Sequence, residues 1–166
     1  MAPSYTPDER DLLRAVRDLV HADREMRGRL SSAMRVNPTD LRSIRHVIRV
    51  VEEAESGETP AETRGVTPRR LADHLGISTA AVTVLVDRLV ASGHLERTPH
   101  PRDRRSVLLV PTEKSRREMA ENLAHMHERM KLIAAAVPES ARPALVDFLR
   151  ALTQEMERDR LDLGPE

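Results

Sequence analysis

The sequence predicts a mainly α protein that carries one small β-hairpin, in the order α-α-α-α-β-β-α-α. Three observations predict it. Apolar residues recur at helical spacing through long stretches at both ends of the 166-residue chain. Ser, Thr and Asn stand where helices would begin, several of them followed directly by proline. One segment, residues 94–110, departs from this habit, with two short runs that read as strands on either side of an arginine- and proline-rich tip.

Taken in order, "TPDE" opens the first helix as a capping box, with Thr6 as N-cap, Pro7 at N1 and Glu9 reaching back from N3. Leu12, Val16, Leu19, Met26 and Leu30 then line one face, with Leu13 and Val20 beside them. Asn37-Pro38 ends this helix, because a residue before proline is pushed out of the α region. A second helix is expected from Thr39, with Leu41, Ile44, Ile48 and Val51 on one side. The acidic stretch Glu52 to Gly65 carries Gly and Pro without periodicity and reads as a loop. Thr67-Pro68 opens a short helix that stops at Gly76, and Ser78 caps the next, which Gly93 closes. Strands are expected at His94 to Thr98 and Arg105 to Val110. Thr112 caps a long helix bearing Met119, Leu123, Met126, Met130, Ile133 and Val137, which Pro138 breaks. A last helix uses Leu145, Phe148, Leu149, Leu152 and Met156. The expected organisation is four parts: N-terminal helices over 1–51, an acidic loop over 52–65, a compact unit over 66–112 and C-terminal helices over 113–166.

Composition narrows the classes of function. Hydrophobic residues make up 39% and charged residues 33%, which suits a helix-rich protein with many solvated faces. Tyr5 and Phe148 are the only Tyr, Phe or Trp residues, so the core is aliphatic and ring-stacking sites are poorly supplied. Without cysteine there is no disulfide, thiolate metal site or thiol redox sensor. No leader is visible at the start and no apolar run reaches bilayer length, so a cytoplasmic protein without a membrane partner is expected. The 27 basic and 27 acidic residues cancel, but not evenly along the chain. Residues 64–117 hold eleven Lys or Arg against five Asp or Glu. A polyanion-binding centre and chance clustering on a solvated surface both account for that asymmetry, taken alone.

The central segment adds geometry. "TPRRLADHLGISTAAVTVLVDRLVASG" has helix-turn-helix proportions. Ala72 permits close helix approach, Gly76 suits a left-handed helix end and Ile77 fills the corner. Leu71, Leu75, Val82, Leu85, Val86 and Leu89 supply a shared core. The outer face of the second helix then presents Ser78, Thr79, Ala80, Thr83, Val84, Asp87 and Arg88, small at its start and able to sit deep in a major groove. A plain three-helix core explains the helices as well. The ribbon that follows does not fit that reading, because a hairpin tip with Arg102, Arg104 and Arg105 has no packing need for guanidinium groups. Thr67, Arg69 and Arg70 stand where phosphate contacts are expected, with solvated surface charge as the duller alternative.

The stretch "RLADHLGISTAAVTVLVDRLVASGHLERTPHPRDRRSVLLVPTEKSRREM" resembles the DNA-binding core of the MarR family of bacterial transcriptional regulators. Its most specific parts are Asp103-Arg104-Arg105 followed by a short apolar strand and Thr112, and the Gly93-His94-Leu95-Glu96-Arg97 run before the ribbon. The resemblance implies a winged helix-turn-helix that dimerises through its N- and C-terminal helices. It also implies that the homodimer binds a pseudo-palindromic operator in double-stranded DNA, acting as a ligand-responsive repressor. A small-molecule effector, not identified by any residue, belongs to that picture. By position, Ser78 to Ser92 is the recognition helix, Arg102 or Arg104 enters the minor groove, and Arg97 lines the base of the wing. Asp103 and Arg105 would brace the wing against the recognition helix through Asp87. The chain departs from the pattern at Val84, where a basic residue is common, at Pro111 before Thr112, and in the length of the Glu52 to Gly65 loop.

Other classes are less well supplied. Asp23 interrupts the apolar stripe of the first helix and is a candidate ligand-pocket residue, against a duller i,i+4 pair with Arg27. His125 and His127 do not share a helix face, and His21 with Glu25 provides only two ligands, so no metal site is expected. No phosphate loop, nucleophile elbow or HExxH motif is present, and neither an enzyme nor a cofactor is expected. The competing function is a winged helix that contacts proteins without operator-specific DNA binding.

Overall fold

A computed structural model describes residues 4–57 and 64–162. Its elements are α1 (Pro7–Ala33), α2 (Pro38–Glu55), α3 (Pro68–Leu75), α4 (Thr79–Ala91), β1 (Leu95–Pro99), β2 (Val107–Pro111), α5 (Glu113–Ala136), a short 3-10 turn (Glu139–Ala141) and α6 (Arg142–Asp162). The chain divides into two compact units, Met1–Asn122 and Leu123–Glu166, so the cut falls within α5.

Capping sets most helix starts. The Thr6 hydroxyl accepts from the Glu9 N–H at 3.3 Å while the Glu9 carboxylate accepts from the Thr6 N–H at 2.8 Å. The amide bond to Thr6 also holds the Glu9 carboxyl below its ordinary range. Asn37 caps α2 with Pro38 at N1, one residue earlier than the expected start at Thr39. Thr67 and Ser78 cap α3 and α4, and Gly76 closes α3 in the left-handed conformation at φ 70°.

Two expectations about boundaries are corrected. Glu52 to Glu55 continue α2 rather than opening the acidic loop, because Val51 and Ala54 extend its buried stripe beneath the acidic side chains. Residues 58–63 of the expected loop lie outside the described residues. The strands also sit later than expected. Leu95 pairs with Pro111 and Pro99 with Val107, and the His100 N–H donates to the Ser106 carbonyl at 3.2 Å, so Arg105 belongs to the tip.

The first unit is built around α2. Leu41, Ile44 and Val47 are buried, as are Leu71, Val82, Val86, Leu89, Leu95 and Leu109, all at most 2% exposed. Each such side chain contributes about 1.5–3 kcal/mol through burial. Val66 adds a contact that the sequence did not suggest, exchanging backbone hydrogen bonds with Leu109 at 3.0 and 2.8 Å along the outer edge of the ribbon. Gly65 makes that approach possible, since a Cβ there would stand 2.9 Å from the Leu108 Cβ and 3.0 Å from the Leu109 carbonyl oxygen.

In the second unit, Arg142 at the start of α6 donates to the carbonyls of Val137 and Ala135, at 3.0 and 3.2 Å, satisfying the end of α5. Met130, Leu132 and Ile133 on α5 and Leu145, Val146, Leu149 and Met156 on α6 remain exposed at 40% or more. Leu12 and Leu19 do the same on α1 of the first unit.

Candidate nucleic-acid interface

The exposed face of α4 begins with small residues. Ser78, Thr79 and Ala80 are exposed, as are Thr83 and Val84, the last with 64% of its surface open. The Ser78 hydroxyl oxygen accepts from the Ala81 N–H at 3.2 Å, which leaves its O–H able to donate outward. Thr67 repeats the arrangement at α3, accepting from the Arg70 N–H at 3.3 Å, with Arg69 and Arg70 exposed beside it. The Thr83 hydroxyl donates to the Thr79 carbonyl at 2.9 Å, so toward a groove it offers its methyl and lone pairs rather than a proton.

Arg88 has a different task from the one expected. Its Nε and Nη2 donate to the two carboxylate oxygens of Asp40 at 2.8 and 2.6 Å, a two-pronged bond from α4 to the first turn of α2. Asp40 is buried, and Asn37 holds it by two further bonds. The carboxylate raises the Arg88 pKa further above its ordinary value. The guanidinium, half exposed, thus ties α4 to the start of α2.

The wing brace is also reassigned. Arg97, expected among the DNA contacts, donates from Nη2 to the Asp87 carboxylate at 2.5 Å. Arg105 does not provide that bond, because it stands in the tip turn while Arg97 lies on β1, the strand that packs against α4. Asp103 accepts from the Arg105 backbone N–H at 2.9 Å, so this pair organises the turn through the main chain. The side chains of Arg104 and Arg105 are exposed at the tip, and Arg102 is exposed beside them.

The base of the wing is fastened to α5 by a buried histidine that the sequence reading passed over. His94 is 2% exposed, with Nδ1 at 2.8 Å from the Ser92 hydroxyl and Nε2 at 3.1 Å from the Glu118 carboxylate. Thr112 and Ser115 donate to the carbonyls of Gly93 and His94, and Lys114 donates to that of Ser92. A histidine between Gly93 and Leu95 does not by itself identify a partner 24 residues away.

Asp23, the candidate pocket residue, pairs with Arg27 at 2.5 Å in the i,i+4 manner. A groove of about 410 Å³ runs along the start of α1, lined by Tyr5, Arg10, Leu13, Arg14, Val16 and Arg17, and Asp23 is not part of its lining. Among the described residues no group of three metal-ligating side chains is gathered, and no single helix is long and apolar enough to cross a membrane.

Known proteins share this architecture. Residues 57–106 match the model of the MarR family. The chain is 27% identical over 107 residues to the HTH-type transcriptional regulator YcgE of Bacillus subtilis, covering 64% of this chain and 70% of that protein. Among solved structures, RV1404 from Mycobacterium tuberculosis superposes with a TM-score of 0.59 at 22% identity, over 93% of this chain and 97% of that one. The transcriptional regulator Tm0710 from Thermotoga maritima gives 0.55 at 23% identity, over 90% and 96%. The S. aureus MepR-DNA complex gives 0.51 at 14% identity, over 84% and 98%. At these identities the superpositions establish the fold.

Proposed function

We propose that this chain, whose residues 57–106 match the MarR family model, is a member of that family and a sequence-specific regulator that binds double-stranded DNA as a homodimer. Its operator is pseudo-palindromic, and it acts as a repressor released by a small-molecule effector. The observation that carries the DNA reading is a juxtaposition. A helix with a small, hydroxyl-bearing N-terminal face stands next to a ribbon whose tip bears Arg104 and Arg105, within a segment of eleven basic and five acidic residues. Small residues admit the helix to a major groove, and guanidinium groups on a narrow ribbon suit the minor groove alongside. MepR, a protein of the same fold, has been solved on DNA.

Dimerisation is supported by the apolar residues left open on α1, α5 and α6, which a second copy would cover. Two-fold symmetry then sets the recognition helices about one helical turn, roughly 10 base pairs, apart along the duplex. Repression and effector release rest on the family alone.

The test is binding of the purified chain to duplexes drawn from a random-sequence pool, at stepped salt. Tight retention with a steep linear fall of log affinity against log salt is expected. Absent or salt-insensitive binding would favour a protein-contact role and overturn the DNA reading.

A further inference from the structure

Two backbone amides at the wing tip end on one imidazole. The N–H groups of Arg102 and Asp103 both donate to Nδ1 of His100, at 3.2 and 3.1 Å. Pro99 and Pro101 flank this histidine, each with φ locked by its ring, and Pro101 also biases His100 toward extended backbone. The turn is closed by the His100 N–H on the Ser106 carbonyl at 3.2 Å and the Ser106 N–H on the Asp103 carbonyl at 3.0 Å. An acceptor that collects the amides two and three residues ahead is the bond pattern by which Asn and Asp side chains wind turns. Here an imidazole makes it, and the arginines of the tip are carried on the amides it holds or on their neighbours.

A ring nitrogen that accepts two hydrogen bonds must hold its lone pair, so the proton of the neutral ring sits on Nε2. The imidazolium form has no acceptor left, and its Nδ1–H would face two amides that already point at it. We propose that His100 is a positioning residue of the DNA interface: its neutral ring winds the wing tip, and its protonation unwinds it. This rests on the DNA-binding reading of the wing, and makes engagement of the minor groove sensitive to pH in the range where histidine titrates.

The charges around the ring are those of the wing. They are the carboxylate of Asp103 and the guanidinium groups of Arg102, Arg104 and Arg105. From α4, the element packed on β1, Asp87 is already engaged by Arg97 below the tip. The sign of the effect separates it from simple electrostatics. An added positive charge near phosphates would tighten binding in acid, whereas loss of the turn weakens it.

The experiment compares wild type with His100→Asn and His100→Ala on a duplex that wild type selects from the random pool. Asparagine offers an amide oxygen where Nδ1 stood and does not titrate; alanine offers no acceptor. At pH about 7.5, His100→Asn is expected to bind like wild type and His100→Ala about tenfold more weakly, as two lost hydrogen bonds imply. On going to pH about 5.5, below the ordinary histidine pKa, wild type is expected to lose affinity relative to His100→Asn. In the free protein at neutral pH, the ¹⁵N shift of the His100 ring is expected to report an unprotonated Nδ1. The proposal is overturned if His100→Ala binds like wild type or His100→Asn binds as weakly as His100→Ala. Matching pH responses of wild type and His100→Asn, or a protonated Nδ1 at neutral pH, overturn it as well. A wild type that selects no duplex overturns the DNA reading and this proposal with it. Wild-type binding together with any of the contrary results overturns the proposal alone.

Discussion

Arg88 on α4 and Asp40 at the first turn of α2 form a two-pronged ion pair across 48 residues of sequence, with the carboxylate buried and the guanidinium half open. The pair ties α4 to the start of α2. Removing Asp40 leaves the arginine without its partner; removing Arg88 leaves a buried carboxylate with only Asn37 to satisfy it.

Asp40→Asn is therefore expected to lower the thermal midpoint by a few degrees, a scale typical of modest stability losses in a small domain. Arg88→Ala should weaken DNA binding through misplacement of α4 while leaving the slope of log affinity against log salt unchanged. A reduced slope for Arg88→Ala would return this residue to the DNA contacts.

Arg104→Ala is expected to behave in the opposite way. It should leave the thermal midpoint alone, weaken binding to the selected duplex, and reduce the salt slope by about one. Wild-type affinity and slope in this variant would remove Arg104 from the interface.

Gly65→Ala tests the close approach of the Val66 segment to the ribbon. The new methyl would meet the Leu108 Cβ at 2.9 Å and the Leu109 carbonyl at 3.0 Å, neither of which is the flexible end of a side chain. Overpacking of this kind costs about 1–3 kcal/mol, readable by denaturant unfolding. A neutral substitution would show that the Val66 bridge yields freely.

His46 on α2 stacks on His74 of α3, with ring centroids 3.7 Å apart and planes 8° from parallel. Burial first, then the neighbouring His74, Arg49, Arg70 and Arg42, push the His46 pKa down to about 4. The folded state thus resists a proton that the unfolded chain accepts near the ordinary value of about 6.5. Between these limits the unfolded state binds more protons, so stability falls as pH drops through that window and is recovered above it. His46→Phe keeps a ring on His74 without the titrating site and should flatten this fall. An equally steep loss in the variant would place the acid sensitivity elsewhere.

Much of the fold was legible because its signals are local. Thr6, Thr67 and Ser78 cap where their side chains and followers imply, and Gly76 ends α3 because a residue without Cβ takes the left-handed turn there. The six apolar residues expected to make the helix-turn-helix core are all buried. Less was legible where periodicity and composition disagree. Glu52, Glu53 and Glu55 look like loop by charge, yet Val51 and Ala54 keep the helical face running past them.

Local pattern alone determined the element order, the wing with its arginine tip and the small face of α4, because capping, helical spacing and proline placement act within a few residues. Only the tertiary structure decided which arginine does what. Asp40 reaches Arg88, Asp87 takes Arg97 instead of Arg105, and His100 gathers the amides of the tip. An ion pair depends on where two distant backbones bring their side chains, and arginines of identical chemistry are told apart only by that placement.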